Sequence, residues 1–391
     1  MKRKALWISI IGILLIGFVC LFCYRHYIRQ KQIEQKKHTG LVSEDFPVED
    51  IKHEIKNIYE DAYQTEADTQ LQNMRNNNSY TIEDPLLVWN PYGTNTGSFY
   101  YYGVSKQDSY VVCEVTCDNG SVIKHRLKND SDSGVTKTHE YLITGLAPGL
   151  ENHFSLAFYD AGNNLIHTYQ YTVTLKKDKQ IPAITKVEKG NSKSSLTDGL
   201  FAVLGHDKSK AKNIYYYDNN GICRGKTPLN DYRTDRILTI DGKLVYSYSL
   251  TDIAFVNRLG KVEKTLSLGK YELHHDFMYD EKRNELLCLV NDTDKDTIED
   301  VLISVNIETG KIKKLVDFEK MMKSMRKRSV QRKGGKNTYG GTELDWLHLN
   351  SLDMINDKDA VFSSREESVI IKINNIYENP SIDYLIHSGS L

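Results

Sequence analysis

Three stretches in the second half of the chain share one layout. YYYDNNGICRG (215–225), FVNRLGKVEKTLSLG (255–269) and SVNIETGKIKKLVDF (304–318) each join a β-rich run to the next through a turn ending in Gly221, Gly260 or Gly310. A fourth copy, IKINNIYENPSIDYLI, keeps the layout without the glycine. A small sheet cannot bury both of its faces alone, so units of several strands recurring at roughly 40 to 50 residues read as the blades of a β-propeller. Residues 183–391 hold about four such blades.

Upstream the pattern differs. LLVWN, GSFYYYGV, YVVCEVT, HEYLITGL, NHFSLAFYD and HTYQYTVTL are short β-rich runs separated by Gly, Asn, Asp and Pro turns, and together they read as a small antiparallel sandwich over residues 83–177. Before it, residues 25–82 read as a helical stalk, dimer-forming arm or linker. Ile51, Ile55, Ile58 and Tyr59 recur there at helical spacing between charged faces.

At the N-terminus, Lys2, Arg3 and Lys4 precede the charge-free run Ala5–Tyr24. As a helix this run spans roughly 30 Å, enough to cross a bilayer. No small-x-small cleavage site follows, so residues 1–24 read as a retained signal anchor with the folded remainder extracytoplasmic. Lys and Arg lie on both flanks, so their count alone does not orient the span. The chain has 51 Lys and Arg against 52 Asp and Glu, which argues against a nucleic-acid partner. Four cysteines lie beyond the apolar run, without CxxC or Cys/His zinc spacing. Cys113 and Cys117 would sit about 13 Å apart on a continuous strand, too far for a disulfide.

The segment DWLHLNS (345–351) is the unusual one. Read as a strand, it puts Trp346, His348 and Asn350 on one face and Leu347, Leu349 and Ser351 on the other. A single half-buried histidine is most often a hydrogen-bonded structural residue. However, HDFMYDEKRNELLCLV from His275 and HLNSLDMINDKDAVFSS from His348 align at their entry strands. Each histidine precedes an Asp- and Lys-bearing turn and an apolar strand. Matched positions in adjacent blades would bring both imidazoles to one end of the channel. Between them, KMMKSMRKRSVQRKGGKN (320–337) is a basic insertion, either a solvated loop or a cationic rim that attracts anions.

Several of these pieces occur in the order found in bacterial aryl-sulfate sulfotransferases, which the chain resembles. They are NPYGTNTGSFYYYG (90–103), HEYLITGLAPGLENHFSLAFYDAGNN (139–164), HHDF (274–277), DVLISVNIETGKI (300–312), DWLHLNSLD (345–353) and SSREESVIIKI (363–373). The resemblance implies a mainly β protein in which an Ig-like N-terminal sandwich precedes a propeller of six-bladed type. It also implies sulfuryl transfer from a phenolic sulfate donor to a phenol acceptor through a sulfohistidine, with no metal or organic cofactor. His275, His348 and Arg365 are then the catalytic candidates, with His274 and Asn350 as substrate-binding candidates beside them.

The chemistry suits these residue types. Charge develops on the sulfuryl oxygens and the leaving phenolate. Arg365 can offer a planar fork of donors, and the imidazoles can donate hydrogen bonds or a proton. In the family the attacking histidine lies downstream of the SSR segment. After Arg365 this sequence holds only His387, whose surroundings match the strand ending the preceding blade. The expectation is therefore of a chain without the nucleophile segment and about two blades, completed by a homodimer partner or a second polypeptide. The other reading is a non-catalytic, membrane-tethered module that binds sulfate esters or a partner.

Overall fold

The computed structural model describes residues 48–387 except 132, 182–187, 189, 191–198, 206–211, 232–233 and 334–342. The apolar run Ala5–Tyr24 and residues 25–47 lie outside the described residues. Among those described, no helix is long and apolar enough to cross a membrane. The described chain is mainly β.

The first part is built around one long strand. β1 (Glu49–Asp50), β2 (Leu86–Trp89), β3 (Ser98–Cys117), β4 (Ile123–Arg126), β5 (Thr136–Thr144), β6 (Glu151–Tyr159) and β7 (Leu165–Thr174) form a single curled sheet. The N-terminal half of β3 pairs with β2 and β5, and its C-terminal half pairs with β4 and β6. The β3–β5 register breaks between Val104 and Ser109, which lets the two halves face each other across one core. Alternation along the strands decides which side chains enter it. Leu87, Phe99 and Tyr101 point into that core with Val111, Cys113, Phe154 and Leu156. Their neighbours Leu86, Val88 and Tyr100 form a second cluster on the opposite face with Ala67 and Leu71.

Ala67 and Leu71 belong to α1 (Asp61–Asn77), which covers that outer face. The helix is therefore packed on the sheet and is not a free stalk. It also starts ten residues later than Ile51, where the helical spacing was read. Residues 51–60 have no helix, and Tyr59 reaches across to the second half of the molecule. Its ring stacks on Tyr248 at 3.8 Å, and its hydroxyl donates to Pro228 O at 2.7 Å. Burial against a neighbouring sheet outweighs local spacing here.

Four sheets follow in series. β8 (Phe201–Val203), β9 (Asn213–Tyr217) and β10 (Cys223–Pro228) form the first. The next three are four-stranded antiparallel meanders. They are β11 (Ile237–Ile240) to β14 (Val262–Ser267) through β12 (Lys243–Ser247) and β13 (Asp252–Val256); β15 (Tyr271–Asp280) to β18 (Ile312–Asp317) through β16 (Glu285–Asp292) and β17 (Val301–Asn306); and β19 (Leu349–Met354) to β22 (Ser381–His387) through β20 (Ala360–Ser364) and β21 (Val369–Asn374).

The repeated turns of the sequence are the hairpins β9–β10, β13–β14, β17–β18 and β21–β22. Gly221, Gly260 and Gly310, each two residues before the following strand, take φ of 76°, 83° and 68°; the fourth hairpin has a left-handed residue at a different place, Asn375 directly after β21, at 54°. Consecutive sheets pack face to face. Phe255, Leu266, Phe277, Leu286 and Ile303 share one core, and Leu287, Leu302, Phe362 and Ile371 share the next. The first strands are tied to one another. Asp276 Oδ1 accepts from Arg236 Nη1 at 2.5 Å, and Asp276 Oδ2 accepts from Leu352 N at 2.9 Å, linking β15 to the β11 and β19 sides.

The basic insertion opens as α2 (Phe318–Met321) and α3 (Lys323–Lys333). Phe318, Met322 and Met325 anchor it in the core beneath the last two sheets. This part is packed structure and not a solvated loop; residues 334–337 lie outside the described residues. The curled sheet and the first of the four later sheets meet at Arg224, which is fully buried. It donates to Asp218 Oδ2 at 2.8 Å, Gly145 O at 2.7 Å and Ser121 O at 2.6 Å. The two backbones approach so closely that a Cβ on Gly97 would lie 1.8 Å from Arg224 O.

Candidate functional site

The inner strands of the last two sheets are both irregular where the histidines lie. In β15, Leu273 pairs with Val290 and the next pair is Phe277 with Cys288, so His274, His275 and Asp276 bulge out of the ladder. In β19, Leu349 pairs with Ser364 and Ser351 with Ser363, leaving Asn350 as the extra residue. His348 immediately precedes that strand. His275 and His348 both have left-handed backbones, with φ of 56° and 52°. Such values are costly for a residue with a β-carbon and cluster at functional sites. They also correct the period-2 reading of DWLHLNS. The strand begins only at Leu349, and Trp346, Leu347, His348 and Leu349 are all buried, because the left-handed residue interrupts the alternation.

The two turns bring the imidazoles together. His275 Nε2 lies 3.0 Å from His348 Nε2, and the ring of His274 lies edge-on to both. His348 is only 3% exposed. Its other nitrogen, Nδ1, lies 2.9 Å from Asp345 Oδ2 and also contacts Glu299 Oε2. Glu299 comes from the loop between β16 and β17, where its own φ is 60°, and its Oε2 lies 2.9 Å from His274 Nε2.

Burial alone would lower the pKa of His348. The hydrogen bonds and charges of Asp345 and Glu299 overcome it and raise the pKa above the ordinary histidine value. Conversely, burial would raise Glu299, but its contacts with His274 and His348 hold it down at about 2.

Arg365 follows β20, in the turn to β21. Its backbone N–H donates to His348 O at 3.0 Å, and its Nη2 reaches within 3.0 Å of His348 Nδ1. A guanidinium can only donate, whereas two carboxylates at Nδ1 demand an N–H there. We therefore read the Arg365–His348 approach as a contact between two donors that share Asp345. The guanidinium fork is held instead by Glu366 Oε1, at 3.0 Å from Nε and 2.8 Å from Nη2. Asn350 Oδ1 is buried with no hydrogen-bond partner.

His275, His348, Arg365 and His274 are thus brought into one cluster, and Asn350 sits in the neighbouring bulge. His387 ends β22, opposite Val369 on the outermost strand of its sheet. Sequence reasoning did not single out Glu299, Asp345 or Glu366. Two of them adjoin chosen segments: Asp345 opens DWLHLNS, and Glu366 follows Arg365.

A family model described as "Arylsulfotransferase (ASST)" matches residues 185–390, which contain this cluster and all four sheets. The chain belongs to the arylsulfotransferase family. No curated protein matches it. Among solved structures, this family member is similar to the β-propeller domain of Myceliophteria thermophila Cps50 (Swd1), at 8% identity and a TM-score of 0.30 over 63% of this chain and 68% of that one. It is also similar to a chain of the mitotic checkpoint complex, at 11% identity and a TM-score of 0.31 over 74% and 77%. The computationally designed Ika8 protein overlaps at 12% identity and a TM-score of 0.26, over 73% of each chain. These three likenesses are too distant to bear on the site.

Proposed function

We propose that this arylsulfotransferase-family chain binds the sulfuryl group of phenolic sulfate esters at His275, His348 and Arg365, for transfer to a phenol acceptor. The observation that carries the reading is the meeting of two matched inner-strand histidines beside Arg365, within the part of the chain that matches the family. On this reading the four sheets are blades of a six-bladed-type propeller, and the curled sheet is its Ig-like N-terminal sandwich. The charge-free run Ala5–Tyr24 supports membrane tethering with the site extracytoplasmic.

Asp345 and Glu299 favour the cationic form of His348, in which Nε2–H can donate to a sulfuryl oxygen and protonate the departing phenolate. In the first half-reaction the sulfur–aryl oxygen bond breaks, a bond from sulfur to an attacking imidazole nitrogen forms, and the phenolate takes the His348 proton. In the second half-reaction the acceptor oxygen attacks sulfur, the sulfur–nitrogen bond breaks, and the acceptor's proton returns to His348. The Nε2 atoms of His275 and His348 face each other, which favours binding and polarising roles for these two over nucleophilic attack. The same observation favours a second reading, in which the chain binds sulfate esters without turning them over.

Titration calorimetry of the full chain with 4-nitrophenyl sulfate tests the shared element. Saturable binding that His348→Ala weakens at least tenfold is expected. Unchanged affinity in folded His348→Ala protein would overturn both readings.

A further inference from the structure

We propose that His274, His275, His348 and Glu299 form a site for one divalent d-block cation, of the class of zinc or cobalt. One donor atom from each of the four lies within 4.8 Å of the others. The His275 and His348 Nε2 atoms are 3.0 Å apart. Two metal–nitrogen bonds of about 2.0–2.1 Å at a tetrahedral angle span about 3.3 Å, so a small opening movement separates the observed geometry from a shared ion.

The surroundings follow the pattern by which metal-binding histidines are oriented. His348 Nδ1 is held by the Asp345 carboxylate at 2.9 Å, which leaves Nε2 as the nitrogen facing His275. His274 Nε2 and Glu299 Oε2 are buried and 2.9 Å apart, and Glu299 Oε2 also faces His348 Nδ1, so the carboxylate lies among the imidazoles that would share the ion.

Charge points the same way. Glu299, Asp345 and Glu366 surround the imidazoles and Arg365, so the cluster favours positive charge on the imidazoles, and a bound ion would take the place of the His348 Nε2 proton and compete with a sulfate ester for that atom. Three imidazole nitrogens and one carboxylate oxygen select zinc, cobalt or nickel over calcium or magnesium. Three of the four residues hold left-handed backbones, His275 in the β15 bulge, Glu299 in the β16–β17 loop and His348 just before β19, so strained turns fix these donors.

The test uses the metal alone, with no sulfate ester present, so its failure and the failure of the sulfuryl-binding reading are distinguishable. Full chain purified without a histidine tag and stripped with chelator is titrated with Co(II), following the visible d–d absorption. One equivalent per chain is expected to bind with the intense bands of a low-coordinate nitrogen site. Zinc should displace it, and His275→Gln and His348→Gln should each weaken it at least tenfold, while the surface variant His167→Gln should not. Circular dichroism confirms that each variant is folded. Absence of saturable cobalt absorption in wild type, or binding unaltered in folded His275→Gln and His348→Gln, would overturn the proposal.

Discussion

His275 Nε2 and His348 Nε2 meet at 3.0 Å although 73 residues separate them in sequence. Each is delivered by the inner strand of its own sheet, and each turns inward through a left-handed backbone. Substituting either residue therefore tests a contact between two sheets as well as a side chain. Glycine at position 348 would relieve the backbone strain while removing the imidazole. His348→Gly is accordingly expected to be less destabilising than His348→Ala, and equally defective in ester binding. Thermal unfolding and calorimetry on the pair check this.

Glu366 holds the Arg365 fork that the proposed reading assigns to the sulfuryl group. Glu366→Gln should therefore tighten 4-nitrophenyl sulfate binding severalfold. Arg365→Ala should weaken it by roughly 10- to 100-fold, the worth of a charge-assisted fork. The opposite signs make the pair informative, and two titrations side by side suffice.

The raised pKa of His348 gives the pH dependence a definite sign. Below that pKa the imidazolium is present, so ester affinity should be highest there and fall as pH rises through it. The same proton stabilises the fold below the ordinary histidine value near 6.5, and this contribution is lost as pH rises through the raised value. Glu299→Gln removes one of the carboxylates that raise it, so the affinity midpoint should move to lower pH. Affinities measured across pH 5 to 9 in chelator-treated buffer give both midpoints.

Acid stability rests in part on Asp292. Burial would raise its pKa, but Lys270 at 2.7 Å and Lys314 at 2.6 Å hold it down to about 2. A depressed carboxylate contributes stability above its unfolded value of about 3.9, and loses that contribution as pH falls towards 2. Asp292→Asn should lower the melting temperature at pH 7 and flatten the acid limb between about pH 4 and about pH 2.

The junction between the curled sheet and the first of the four later sheets turns on Arg224 and Gly97. Arg224→Met leaves Asp218 buried without its ion partner, and a loss of about 3–5 kcal/mol is expected. Gly97→Ala places a methyl group against the Arg224 carbonyl and should separate the two sheets or prevent folding. Denaturant unfolding of both variants checks these costs.

The four hairpins of the second half were legible because their layout repeats and because three of their left-handed turns take Gly. The pairing of His275 with His348 was legible for the same reason, since equivalent residues of equivalent strands converge. Glu299 was not. It comes from a connecting loop whose direction depends on one left-handed residue, and no period marks it. The helix was misplaced because Ile51 packs against the curled sheet and its helix while Ile58 and Tyr59 pack against the sheets of the second half, and the spacing of buried residues does not reveal what buries them. Arg365 was placed correctly beside His348, but its engagement by Glu366 depends on rotamers that sequence does not display.

Crystallography with bound ester tests the central claim most directly. Crystals of the full chain soaked with 4-nitrophenyl sulfate are expected to show the sulfuryl oxygens within hydrogen-bond distance of His348 Nε2 and the Arg365 guanidinium, with the Glu366 carboxylate displaced from the fork. A sulfuryl group bound elsewhere on the molecule, with the Arg365–Glu366 pair intact, would contradict the account.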